Sequence, residues 1–567
     1  MARGFSRSVR TGAFINAFLM LLLAVRTTHS FQLSRPPFPR SILKSTGGVD
    51  NAVADTNVAV PRNKVEYDME AYISGYRNCE KECCETLEGS VPVDLTGTYF
   101  RNGYGKFEVG SEKQKVVHPF DSDGMVIAAQ FKDGKVLFRN RFVRTEGYCK
   151  ERNAKGLLYR NTFGSQRKGG FLANAFDTKF KNVANTNVLY RGDALYALWE
   201  GGLPHRLEPD SLATVCEDNL GGVLAQDEAL TAHPRFDSAT GRTVAFTCTA
   251  RSPRRSSMRV YEFDEDMGVH STRDFDVEGF PFFHDFVVTS NYYIFELAPT
   301  TFNPLPFLFG FKGPANCIGF DGSKPSKIML VPRDAPEKDV EIVDVEPHFN
   351  FHYGNAYDEG PGKIVFDVVK TDEMFFATSN INEPIWNQID WEKDVPYSTL
   401  QRYTLTKDET GSWQHQSELL SPNLFEFPST APSVSCQKHR YIYGVSSPKL
   451  GVTTPQRSII KVDTEARTQT MWTGEAHEFV GEPIFLPRDN AGPEEDDGYV
   501  VMVLWNGRER VSQLVVFDAQ DIARGPVSRL PLPTALPHGL HGTWAPGLVF
   551  EEGAVRARFE ATAQQPL

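Results

Sequence analysis

No window of this chain sustains an apolar pattern of helical period. Its apolar residues come instead in short runs, among them "YVVMVLW", "RYIYGV" and "NYYIFEL", each bounded by Gly, Pro, Asn or Asp. Runs of that length between turn-forming residues read as many short β-strands. With 45 Gly and 36 Pro to interrupt it, the 567-residue chain is expected to be predominantly β. A repeating all-β architecture places residues far apart in sequence at equivalent points of successive units, so chemistry must be sought in widely spaced residues.

The first 50 residues are a different kind of sequence. Arg3, Arg7 and Arg10 precede an apolar run at 13–25 that is too short to span a bilayer comfortably, and "THSF" offers cleavage before Phe31. Residues 1–30 therefore read as a signal peptide. Residues 31–50 stay basic and rich in Ser and Pro, with no acid until Asp50. Together they resemble the two-part leaders of algae whose plastids lie inside additional membranes; plain secretion or an endomembrane lumen is the alternative. Residues 1–49 hold seven Lys or Arg and no acid, so their removal takes the formal net charge from −12 to about −19. Such an acidic chain is a poor partner for nucleic acid, whose phosphates demand Lys and Arg.

After the leader the pattern supports one domain, with 51–88 as a capping arm and 89–567 as the body. Cys79, Cys83 and Cys84 cluster, but no second Cys/His pair follows at zinc-site spacing, which leaves surface thiols or one local disulfide. The other cysteines are scattered like small apolar fillers. "DNAGPEEDDG" reads as a solvated acidic loop and "ATAQQPL" as a frayed tail.

The usual catalytic templates are missing. There is no G-x-S-x-G elbow, H-E-x-x-H, P-loop or G-x-G-x-x-G turn, and no H-x-D or H-x-E pair of a two-histidine, one-carboxylate iron site. Among thirteen histidines, four share a setting, a strand-like apolar run beside a turn or an aromatic. They are His233 in "LTAHPRFD", His284 in "PFFHDFVVTS", His352 in "FHYGNAY" and His541 in "GLHGTW". Their spacings are one, one and three times a unit of about 50 to 70 residues, the size of a propeller blade with generous loops, and about seven such units fill the chain. Inner strands of blades converge on one axis, where four imidazoles would suit a borderline divalent ion such as Fe(II). Carboxylates set in apolar runs, Glu200 in "YALWEGG", Glu426 in "LFEFPS" and Glu482 in "FVGEPIFL", would be costly there unless they orient the rings.

These blocks resemble the carotenoid cleavage oxygenases. The likeness runs from "LTGTYFRNGYGKFEVG" through "HPFDSDGMV", "FRNRFVRTEGY", "HDFVVTSNYYIF", "FHYGNAYDEG", "EFPST" and "GEPIFLP" to "LPHGLHGTW", in family order. It departs at Tyr104, where Pro often follows "RNG", at Ser122, usually Gly, and at His538, often Tyr. The resemblance implies a seven-bladed β-propeller with a helical and loop cap. It implies one Fe(II) on His233, His284, His352 and His541, with Glu200, Glu426 and Glu482 behind them. The implied activity is cleavage of a conjugated C=C bond of a carotenoid or apocarotenoid by O₂ to give two carbonyl products. Within the family, stilbene cleavage is the alternative, disfavoured by Glu146 and Gly147 where that branch has a Lys; nothing speaks for ester-to-alcohol isomerisation. A metal-free pigment-binding propeller is the alternative outside catalysis. A membrane-soluble substrate draws attention to "TFNPLPFLFGFKG", where Phe302, Leu305, Phe307, Phe309 and Phe311 form neither a good helix nor a good strand; they are expected to meet a bilayer surface, the alternative being a loop folded onto the protein's own surface.

Overall fold

The computed structural model describes residues 67–252, 255–279, 281–335, 337–376 and 382–563. The signal, the transit-like segment, the start of the arm and the last four residues of the tail lie outside the described residues. Among the described residues, seven antiparallel sheets of four or five strands are arranged as the blades of a propeller, and two two-stranded ribbons stand apart from them. Blades two, three, five, six and seven are each built from consecutive strands, for example Phe349–Asp358, Lys363–Thr371, Thr399–Lys407 and Trp413–Ser421 for the fifth, while the fourth is interrupted by the ribbon Thr300–Phe302 and Ile318–Phe320. The first blade is composite: Gly539–Pro546, from near the C-terminus, pairs with Gly97–Lys106 and closes the ring from the inside.

Burial across a blade explains why the sequence shows apolar runs instead of strict alternation. Middle strands are sandwiched between neighbouring blades, so both faces are covered: every residue of Gly498–Asn506 is buried. Outer strands face water, and Val269–Glu278 is exposed over most of its length. Consequently the described residues share no single central core. Each pair of adjacent blades shares its own apolar layer, as where Phe246, Met258 and Val260 meet Val288, Phe295 and Val331. The layer between the last and first blades holds Val501, Leu514 and Val516 against Phe131 and Phe138.

The segment expected as an arm does two different things over its described part. Met69–Ile73 is a one-turn helix whose Ala71 carbonyl accepts from the Trp505 indole (3.0 Å), and Tyr72 packs on Phe479. Cys83–Thr86, by contrast, is a strand that pairs with Lys135–Phe142 as the outermost strand of the first blade. That pairing corrects the expectation for the cysteines: Cys79 and Cys83 are buried free thiols, and both contact the Asn140 side chain. The acidic loop is only half solvated, because Glu495 accepts from the Arg440 and Tyr441 backbone and Asp496 pairs with buried Lys461. Before the tail, the helix Glu552–Thr562 is pinned by Arg141, which donates to Phe559 O and Thr562 Oγ1.

Candidate metal centre

Residues from all seven blades converge on the axis. His233 lies just before the inner strand Arg235–Asp237 of blade three, and His284 just before Val287–Val288 of blade four. His352 is within the inner strand of blade five and His541 within the strand that closes blade one. Blades two, six and seven supply Glu200, Glu426 and Glu482. The expected histidines thus gather in one place, with one ring nitrogen from each within 4.8 Å of the others. That spread is near the roughly 4 Å that separates nitrogens on opposite sides of an ion with 2.0–2.1 Å bonds.

Sequence position could not pair acids with rings; the structure does. His284 Nδ1 lies 2.6 Å from Glu200 Oε2, His352 Nδ1 2.7 Å from Glu426 Oε2, and His541 Nδ1 2.7 Å from Glu482 Oε1. An ionised carboxylate only accepts, so in each pair Nδ1 carries the proton and donates. Each Nε2 is then a bare lone pair. His352 Nε2 is buried with no hydrogen-bond partner, and the Nε2 atoms of His233 and His284 face each other at 3.0 Å. Buried lone pairs left so are costly unless a cation takes them. Electrostatics agree for two of the rings. Burial, reinforced by the neighbouring rings, holds His233 well below the usual imidazole range, and burial also lowers His541 against the pull of Glu482. His284 goes the other way, since Glu200 outweighs the effect of burial.

Two supports carried no sequence signal. Asp285, beside His284, is not a ligand: its Oδ2 pairs with Arg235 and accepts from Tyr353 N (2.9 Å), while Oδ1 accepts from Phe286 N (2.8 Å). Arg235 Nε also donates to Phe286 O (2.8 Å). One Arg–Asp clamp therefore ties together the chain segments bearing His233, His284 and His352. Phe427, next to Glu426, has φ of 50°, strained for a bulky residue, and its ring stacks on His352 (5.6 Å).

A cavity of about 340 Å³ opens onto His284, His352 and His541. One part of its wall is phenylalanine: Phe120, Phe163, Phe282, Phe349, Phe351 and Phe376. This cluster reaches Ala298 and Ala315, beside the Phe-rich loop. The loop is more ordered than its composition suggests, with a short strand Thr300–Phe302 and a single helical turn Leu305–Leu308. Phe307 is not outward-facing as expected, because it is buried against Phe180 and under the Arg160 guanidinium. Phe302 is half-buried. Leu305, Phe309 and Phe311 are exposed, and Phe171, Leu172 and Phe176 join them, with Phe171 stacked on Phe311 and Phe176 against Phe309.

Fold and centre define a class: a seven-bladed propeller whose axis carries four histidines, three of them oriented by carboxylates. Comparison with known proteins agrees with this. Residues 76–546 match the family described as retinal pigment epithelial membrane protein, RPE65. The chain is 39% identical over 495 residues to apocarotenoid-15,15'-oxygenase of Synechocystis sp., covering 84% of this chain and 97% of that one. It is 31% identical to isoeugenol monooxygenase of Pseudomonas putida, over 81% of this chain and 93% of the other. The crystal structure of cobalt-substituted Synechocystis ACO superposes with a TM-score of 0.80 at 37% identity, covering 85% and 99% of the two chains. The chain belongs to the RPE65/carotenoid oxygenase family.

Proposed function

We propose that this oxygenase holds one Fe(II) on His233, His284, His352 and His541 and cleaves a conjugated C=C bond of a carotenoid or apocarotenoid with O₂, giving two carbonyl products. The observation that carries the reading is the set of Nδ1–carboxylate bonds, which turn neutral ring nitrogens onto an aromatic-lined cavity. Four neutral nitrogens fit Fe(II), which supplies the one-electron chemistry that makes O₂ reactive toward an alkene. The protein's share is positional. Glu200, Glu426 and Glu482 fix the tautomers and the ring planes. The Phe wall binds a polyene by area and excludes water, so no general acid or base is required.

Leu305, Phe309, Phe311, Phe171, Leu172 and Phe176 make an apolar surface beside the Phe end of the cavity, suited to peripheral contact with the bilayer from which such a substrate comes. The two-part leader supports a plastid destination, where such substrates are held.

The test is product analysis. Leaderless protein loaded with Fe(II) would receive β-carotene, a xanthophyll and an apocarotenal in detergent under air, with isoeugenol and a stilbene alongside. Paired carbonyl products that require O₂ and whose masses locate the bond support the proposal. Turnover of the phenolic alkenes alone replaces the substrate, and a protein that binds no iron overturns the site.

A further inference from the structure

The cavity is asymmetric in chemistry, and its second end holds a cation that the reading above does not use. Arg101, in the strand Gly97–Lys106, is 5% exposed and lines the cavity. Among the described residues its guanidinium has no ion pair and no hydrogen bond, and Nη1 is fully buried without a partner. Its place is held by Gly539, where an added β-carbon would come 1.4 Å from Nη2. Gly539 begins the strand that carries His541, so the guanidinium sits near the metal centre. Glu482 is the carboxylate whose charge reaches it, yet both Glu482 oxygens are already engaged, one by His541 and one by Gly542 N (2.8 Å). The rest of this end is polar and aromatic: Tyr104, Tyr72, whose hydroxyl lies 2.6 Å from that of Tyr76, and His538. The phenylalanine wall includes His118, stacked on Phe163 (4.7 Å), but among the described residues Arg101 is the only Arg or Lys that lines the cavity.

A buried guanidinium without a partner is costly, and the cost falls when a ligand supplies an oxygen acceptor. Its planar fork of N–H donors matches a carbonyl or carboxylate oxygen, and a hydrocarbon end offers nothing to it. We propose that Arg101 is a specificity-determining residue that receives the carbonyl-bearing end, aldehyde or carboxylate, of a conjugated substrate whose apolar end lies along the phenylalanine wall. The proposal rests on the polyene-cleaving reading and adds to it a polarity of binding and a choice of end group. It makes the preferred substrate an already cut chain instead of an intact hydrocarbon carotenoid.

The test compares three polyenes of matched length, ending in an aldehyde, a carboxylate or a methyl group, on iron-loaded wild type, Arg101→Lys and Arg101→Met. The readouts are kcat/KM for each and, without O₂, the Kd from quenching of the cavity tryptophans Trp199, Trp386, Trp391 and Trp505. Wild type should favour carbonyl-ended chains over the methyl-ended one by about tenfold or more, the worth of a hydrogen bond to a charged group. That ratio should collapse toward one in Arg101→Met and recover in part in Arg101→Lys, with iron content retained. A ratio of one in wild type overturns the proposal while leaving polyene cleavage intact. So does an equal loss on all three substrates in Arg101→Met, which would assign the charge to balancing the metal site. If Arg101→Met fails to fold, the Kd ratio in wild type and in Arg101→Lys decides the matter alone. Wild type that cuts none of the three sinks the underlying reading instead.

Discussion

Asp285→Asn tests whether the clamp beneath the histidines sets the metal centre or only the fold. In wild type the Asp285 side chain is 1% exposed and its two oxygens satisfy Arg235, Tyr353 N and Phe286 N. Asparagine replaces one of those oxygens by an NH₂ group, so a backbone N–H is left facing a donor whichever way the amide turns. The charge of Arg235 also loses its partner. Breaking a buried pair costs about 3–5 kcal/mol; Arg235 is 20% exposed and regains some hydration, which favours the lower end, near ~3 kcal/mol. Because the clamp joins the segments bearing three of the four rings, part of that cost falls on their mutual alignment. Residues that support ligands in this way typically change metal affinity by about 10–100-fold. The assay is metal retained after dialysis against graded chelator, read beside circular dichroism and thermal unfolding. The variant should release metal at chelator concentrations roughly 10–100 times lower than wild type, with its β-sheet spectrum unchanged and its midpoint lowered. Wild-type retention at every chelator concentration, together with a lowered midpoint, would refute the reasoning: the clamp would then serve the fold and leave the rings indifferent to it.

Other outcomes follow from the same structure. His352→Ala removes a proposed ligand whose Nε2 has no hydrogen-bond partner, and should leave metal substoichiometric by elemental analysis while the chain still folds. Glu262 is buried; Arg333, Tyr293 and Arg242 overcome the opposing effect of burial and hold its carboxyl down at about 2. A depressed folded value contributes stability above the ordinary carboxylate pKa that is lost as pH falls, so Glu262→Gln should remove part of the loss of stability that wild type shows between about pH 4.5 and 2 in denaturant titrations. Phe309→Ser with Phe311→Ser should reduce co-sedimentation with liposomes without loss of metal. Phe307→Ser should instead lower the unfolding midpoint, since removing a buried phenylalanine side chain costs about 3–5 kcal/mol.

The blade count and the gathering of the four histidines were legible because each histidine interrupts an apolar strand, where an unpaired imidazole is anomalous, and because inner strands must converge. The acids were legible for the same reason. Their pairing was not, since Glu200 reaches His284 across 84 residues and Glu482 reaches His541 across 59, distances that only the ring geometry fixes. Phe307 was misjudged because composition cannot say which residues of a Phe-rich loop turn inward; Arg160, whose guanidinium holds its carbonyl and covers its ring, decides that. Cys83 looked like a surface thiol because three residues of "CEKECC" are charged, yet strand pairing with Lys135–Phe142 turns it inward. Nothing in "TYFRNGYG" marks Arg101 out. Only the closing strand, arriving from hundreds of residues away with Gly539, shows that it is enclosed.

That closing strand also sets an order of events. His541 comes into place only when Gly539–Pro546 pairs with Gly97–Lys106. A ribosome-bound chain, or one being threaded through a membrane, therefore presents at most three of the four rings. At the proposed centre, metal loading becomes a late step that follows completion of the circle. A chain cut short before the final strand would hold most of its blades and still lack the centre, so bound metal doubles as a report that both ends of the molecule have met.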